Sequence, residues 1–231
     1  MRIEPEALGF ARVLAIGAHP DDAEFYAGAT LARLAAAGAR IALRVMTDGQ
    51  RGGREVGNLA PVRAAEQVGA LRALGIHDHA NLGRPDGELT REPALLAELV
   101  LAIRTLQPDL VLTHDVRSRF TIVDGIAQPG HSDHRATAEL VMDAIAPRAM
   151  LPSFFPEQLE RPGVAPWYPR ELWLFDTTEP TATVDVAPQR AAKLAALRAH
   201  ASQNPGDVLV RWSGKRGDET FARLVLQRRR G

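Results

Sequence analysis

The sequence predicts an α/β fold of the doubly wound type: a mostly parallel sheet with helices on both faces and an irregular C-terminal third. Three observations carry that expectation. An apolar run, a helix-spaced stretch and a second apolar run follow one another between residues 12 and 46. That is the order of a βαβ unit, and it favours parallel pairing. A third short apolar run, Leu110-Val111-Leu112-Thr113, follows another helical stretch. Residues 150–169 then carry five prolines, too many for regular structure.

In order along the chain, Arg12–Gly17 reads as a strand buried on both faces, because its apolar residues are continuous and do not alternate. Residues 24–38 read as a helix, with Phe25, Leu31 and Leu34 on one side and Gly38 as its C-terminal stop. Residues 41–46 form the second strand. Pro61 introduces a helix over 63–74, ended by Gly75, and HDHANLG is read as a turn. A helix over 92–106 has Pro93 in its first turn and an apolar face from Leu95 to Ile103. Residues 110–113 make a strand, 117–130 a loop without period, and 133–146 a helix. The proline-rich stretch is of the kind that borders active sites. Strands over 171–175 and 181–186 and a helix over 188–201 follow, and Arg228 to Arg230 read as a solvated tail. One unit covering residues 1–231 is expected at this length.

Composition narrows the function. The 231 residues include 28 Lys and Arg against 28 Asp and Glu. This balance argues against a nucleic-acid partner, which calls for a basic surplus. There is no cysteine, so disulfides, thiolate metal sites and a cysteine nucleophile are excluded. Any metal must be held by His, Asp or Glu. The N-terminal residues do not read as a secretory signal, and no apolar run has the length of a membrane span. A cytoplasmic protein without a membrane partner is expected, and a homo-oligomer is compatible with the sequence.

The chemistry gathers where strands end. In open α/β sheets, ligands sit beyond the carboxyl ends of the strands. His19-Pro20-Asp21-Asp22 and Glu24 follow the first strand, Asp48-Gly49 the second, and His114-Asp115 the third run. His131-Ser132-Asp133-His134 opens a helix at the same rim. His19 and Asp22 stand three apart on a turn entering a helix, and His134 can join them. Two imidazoles and one carboxylate leave a coordination position open, which suits catalytic zinc and equally Fe2+ or Mn2+. A metal there acidifies water. Asp21, beside the ligand Asp22, is placed to act as general base. His131 can stabilise an oxyanion or protonate a leaving amine, and Asp133 can orient a histidine. Arg51 and Arg54 suit an anionic group on a substrate, and His114 is a candidate substrate contact.

AHPDDAE together with GHSDH resembles the PIG-L/LmbE-like N-acetylglucosaminyl deacetylases, whose signature is Ala-His-Pro-Asp-Asp-x-Glu followed much later by His-x-Asp-His. TDGQRGG, RAAE, LGRPDGEL, PDLVLTH and KLAALRAHASQ extend the resemblance over nearly the whole chain. It implies a Rossmann-like fold and metal-dependent hydrolysis of an N-acetyl group from an N-acetylglucosamine derivative. It also implies that His19, Asp22 and His134 bind zinc, that Asp21 is the base, that His131 stabilises the tetrahedral intermediate or acts as acid, and that Asp133 orients a histidine. Ser132 stands where the family often has Pro, and residues 117–130 are a long insert before the second motif. The substrate's aglycone lies outside what the motifs define. The alternatives are an amidase for a larger acyl group and a non-catalytic sugar- or metal-binding module. A nucleotide-dependent oxidoreductase is disfavoured because no Gly-x-Gly-x-x-Gly follows the first strand.

Overall fold

The structure is a computed structural model that describes residues 1–53, 57–123 and 126–227. The expected Arg54 contact and the Arg228 to Arg230 tail lie outside the described residues.

The chain begins with β1 (Arg12–Gly17), α1 (Asp22–Ala36) and β2 (Arg40–Thr47), the unit read from the sequence. Next come α2 (Ala60–Leu74), β3 (Asp78–Arg84), α3 (Pro93–Leu106) and β4 (Leu110–His114). After a hairpin of β5 (Phe120–Val123) and β6 (Ile126–Pro129) comes α4 (Ser132–Asp143). The last elements are β7 (Glu171–Phe175), β8 (Ala182–Val184), α5 (Arg190–Ala199), α6 (Val208–Arg216) and β9 (Glu219–Val225).

The main sheet has the order β3-β2-β1-β4-β7-β9-β8. Pairing is parallel from β3 to β7, and β9 and β8 add antiparallel strands at one edge. The chain winds outward from β1 to β3 on one side and from β4 on the other, so the order reverses between β1 and β4. That junction opens a crevice at the strands' carboxyl ends.

β1 shows why its apolar run is continuous. Val13 and Ala15 join the core under α1, α2 and α5, while Leu14 and Ile16 join the core under α3 and α4. Successive side chains of a strand point to opposite faces, so a strand covered on both sides must be apolar throughout. Gly17 ends it for a different reason: a Cβ there would stand 3.0 Å from the Asp22 Cβ. Its absence lets the His19–Asp22 turn fold back on the strand.

Four expectations are corrected. HDHANLG is not a turn: from Asp78 on it lies in β3, an edge strand whose exposed side chains carry no apolar alternation. Residues 117–130 are not a plain loop, because they contain the β5–β6 hairpin. The helix read over 133–146 stops at Asp143, and the chain breaks from helical geometry at Ala146. The proline-rich stretch does not border the crevice. The Arg104 guanidinium, at the C-terminal end of α3, donates to the carbonyls of Arg148, Ala149, Leu151, Phe154 and Phe155. That holds the stretch at the amino ends of the strands, away from the crevice.

Candidate metal centre

The turn after β1 is tied down by its neighbours. Thr47, ending β2, donates through both its backbone N–H and its hydroxyl to the Ala18 carbonyl at 2.9 Å. Asp22, the first residue of α1, accepts the His19 N–H at 2.8 Å. Asp21 between them has φ 124°, a region that non-glycine residues enter only when their surroundings hold them there.

His134, from the first turn of α4, meets this turn across the crevice. Its Nε2 lies 3.2 Å from Asp22 Oδ1, and His19 Nδ1 lies 3.6 Å from Asp22 Oδ2. One ligand atom from each of His19, Asp22 and His134 falls within 4.8 Å of the others. The three residues chosen from the sequence therefore converge on one point.

Behind each histidine stands a carboxylate. His19 Nε2 is 3.3 Å from Asp133 and 3.2 Å from Asp86. His134 Nδ1 is 3.6 Å from Asp176. Such partners fix the tautomer and leave the opposite nitrogen as the donor. Asp133 is itself fixed by the N–H groups of Gly87 at 2.7 Å and Leu89 at 3.3 Å. Asp133, expected to orient a histidine, has its carboxylate 3.3 Å from His19 Nε2.

Asp21, Asp22, Asp86, Asp133 and Asp176 thus surround the imidazoles of His19, His114, His131 and His134, with Arg63 against Asp21 and Arg216 at 3.8 Å from Asp176. This surplus of carboxylates over guanidinium groups suits a bound cation, and a mixed nitrogen and oxygen donor set fits a divalent transition metal.

The protonation pattern says the same. Burial disfavours charge on His134, yet Asp22 and Asp176 lift its pKa to about 9. Burial also opposes a charged His19, but hydrogen bonds to Asp133, Asp22 and Asp86 raise it well above its ordinary value. Asp22 is lowered well below the carboxylate range despite burial, chiefly by His134 and His114. Protons on two histidines take the place that a cation would fill.

Asp21 stands on the open side. Burial pushes its pKa up to about 6, with the Arg63 charge opposing and Asp22 adding to the rise. Arg63 Nη2 holds its carboxylate at 3.2 Å. His131 caps α4, its Nδ1 accepting the Asp133 N–H at 3.2 Å, so a neutral ring carries its proton on Nε2. Burial and the neighbouring His19 charge lower its pKa.

An open pocket of about 360 Å³ is lined by His19, Asp21, Asp22, His131 and His134, with Arg51, Arg63, Asp86 and Gln203 on its walls. Arg51, expected as a substrate contact, lies on the pocket wall, where it pairs with Glu88 and the Asp86 carbonyl. His114 is placed differently from the expectation. It is 1% exposed and sits beneath Asp22, with Nε2 3.0 Å from the carboxylate and its ring stacked on His134. It supports the Asp22 carboxylate from below and is not among the residues lining the pocket. Burial, then the His134 charge, lowers its pKa to about 4, so it is a neutral donor to Asp22.

Asp86, Asp176 and the buried Arg63 were not singled out as site residues. Asp176 follows β7, a strand legible in the sequence, so the carboxyl-end rule alone would have found it. Asp86 follows β3, and the misread strand hid it.

Three comparisons bear on the chain. The family model described as PIG-L, GlcNAc-PI de-N-acetylase, matches residues 14–145. A diacetylchitobiose deacetylase of Thermococcus kodakarensis is 31% identical over 205 residues, covering 87% of this chain and 73% of that protein. A 1D-myo-inositol 2-acetamido-2-deoxy-alpha-D-glucopyranoside deacetylase of Actinosynnema mirum is 29% identical over 262 residues, covering 91% and 85%. Among solved structures, the N,N'-diacetylchitobiose deacetylase of Pyrococcus horikoshii, complexed with its inhibitor MPG, superposes with a TM-score of 0.83. Its identity is 27%, covering 96% of this chain and 86% of that one.

Proposed function

The chain belongs to the PIG-L family, and from that premise we propose how its site works. The protein is a metal-dependent hydrolase that removes the acetyl group from the nitrogen of an N-acetylglucosamine derivative. The observation that carries the mechanism is the convergence of His19, Asp22 and His134 at one wall of the pocket with Asp21 beside them. These three residues hold the ion, and Zn2+ is the one best suited to two imidazoles and a carboxylate with a position left open. When bound, it supplies Lewis acidity toward water and the amide carbonyl.

The chain's own residues do the rest. Asp21 takes the proton of the attacking water. A pKa near 6 leaves it ionised at neutral pH and more basic than an ordinary aspartate, as a general base needs. Arg63 holds that carboxylate in place, and Asp133 and Asp86 hold His19. His131, at the pocket mouth, directs its Nε2 proton to the oxyanion of the tetrahedral intermediate or to the departing amine. Arg51 and Gln203 on the pocket walls offer hydrogen bonds to the sugar or its aglycone.

The test is primary-amine release from a panel of N-acetylglucosamine derivatives, with metal-stripped protein and with protein reloaded with zinc. Zinc-dependent release is expected. Release that survives complete metal removal, or no release from any panel member by fully loaded protein, overturns the reading.

A further inference from the structure

Glu24 belongs to the first motif, and the mechanism gives it no task. It is 0% exposed, as is His200 at the end of α5. Gln67 of α2 donates to Glu24 Oε1, and His200 Nε2 stands 3.8 Å from that oxygen, beyond hydrogen-bond reach. Glu24 Oε2, Gln67 Oε1, Arg63 Nε and both ring nitrogens of His200 are buried without a hydrogen-bond partner among the described residues. These atoms come from three packed elements: α1, α2 and the end of α5. A buried carboxylate oxygen, a guanidinium N–H and an imidazole cannot all stay unsatisfied, since each such group costs about 1–3 kcal/mol. Buried water commonly has two to four polar partners of this kind.

The same elements carry Asp21. Arg63 and Gln67 are one turn apart on α2, and Asp21 and Glu24 are one turn apart at the start of α1. Arg63–Asp21 and Gln67–Glu24 are therefore two rungs between the helices. Arg63 also donates to the carbonyls of Pro20 and Gly49, fixing the backbone on either side of the site.

We infer that ordered water bridges Glu24, His200 and Arg63 behind the pocket, and that Glu24 and His200 are positioning residues that set the Arg63 guanidinium and, through it, the Asp21 carboxylate. Neither touches the substrate. The inference rests on Asp21 being the general base.

The test is a double-mutant comparison on metal-loaded protein with an N-acetylglucosamine derivative that the wild type turns over. Glu24→Gln and His200→Leu are made singly and again with Asp21→Asn. Metal stoichiometry and thermal melting identify folded, loaded protein, and Glu24→Asp and His200→Gln replace any variant that fails to fold. Each single variant is expected to lower kcat about 10- to 100-fold, the range that small misplacements of a reacting group produce, with KM within about twofold. In the Asp21→Asn background neither should cause a further loss. Losses that multiply with Asp21→Asn, or that fall only on KM, overturn the positioning role. A wild-type kcat for Asp21→Asn alone overturns instead the general-base reading. A high-resolution crystal structure should place water within hydrogen-bond distance of Arg63 Nε and Glu24 Oε2, and a dry space there overturns the bridge.

Discussion

Arg104 and Asp22 are both charged, both buried and at opposite ends of the strands of one sheet, yet their surroundings differ in kind. Arg104 is 0% exposed, and its guanidinium reaches five backbone carbonyls and the Gln158 side chain. Its hydrogen bonds are complete within the chain, and the cluster is closed. Asp22 faces three histidines, with four further carboxylates nearby, and the protein alone balances it only by protonating imidazoles. A buried polar cluster that is complete in itself holds the fold together. One that its own residues leave rich in one sign is built around something else. The second kind borders the pocket lined by Asp21, His131 and His134.

The sharpest way to break the comparison is at the ligands. Asp22→Ala or His134→Ala should abolish zinc binding and amine release together, read by metal stoichiometry and turnover. Zinc must also displace protons from His134 and His19. Apparent zinc affinity should therefore rise with pH up to about 9, where His134 loses its proton unaided. Titration calorimetry in buffers of different ionisation enthalpy should record proton release, and none would contradict the charged-histidine state.

Asp21→Asn should leave zinc bound and lower kcat by about 10²- to 10⁴-fold, the usual contribution of a general base. Equal loss of metal would make Asp21 a ligand.

Arg104→Met tests the closed cluster. Several buried carbonyls would lose their donor at about 1–3 kcal/mol each, so denaturant unfolding should show a loss of at least about 3 kcal/mol. Zinc stoichiometry and the kcat of the folded fraction should be unchanged.

Between these extremes lie the carboxylates behind the ligands. Asp176→Asn and Asp133→Asn should weaken zinc binding about 10- to 100-fold, measured by competition with a chelator.

The smallest effect is expected at Glu171, another closed cluster. Burial alone would raise its pKa, but the Arg223 guanidinium, at 2.7 Å to each oxygen, and the Trp173 N–H at 2.8 Å lower it below 4.5. Because the folded value lies below the unfolded one, the stabilisation is complete above about pH 4.5 and is lost as pH falls through the folded value. Glu171→Gln should cost about 1–3 kcal/mol at neutral pH. The gap to wild type, followed by thermal melting, should close in acid.

What could be read from the chain follows the same division. β1, β2, β4 and β7 were legible because strands covered on both faces must be apolar throughout. β3 was not: an exposed edge strand buries too little to impose a pattern. α6 and β9 were not assigned, and β9 pairs between β7 and β8 through contacts remote in sequence. The candidate ligands His19, Asp22 and His134 could be chosen because the spacing within each of two motifs constrains which side chains share a turn. Arg63 and Asp86 stand in RAAE and LGRPDGEL without a partner at fixed spacing that marks them as site residues, and Asp176 stands apart from any motif; each is brought to the site by a different element.

By itself, then, the sequence determined the alternation of strands and helices, the absence of thiolate chemistry and the residue types able to hold a metal. These follow from local periodicity and composition. The tertiary structure alone decided that Asp133 lies beside His19, that His114 lies beneath Asp22 instead of facing the pocket, and that the proline-rich stretch is held by Arg104 at the amino ends of the strands. Those outcomes depend on which strand ends meet across the β1–β4 junction and on which buried groups find partners there, and both are set by contacts between residues far apart in the chain.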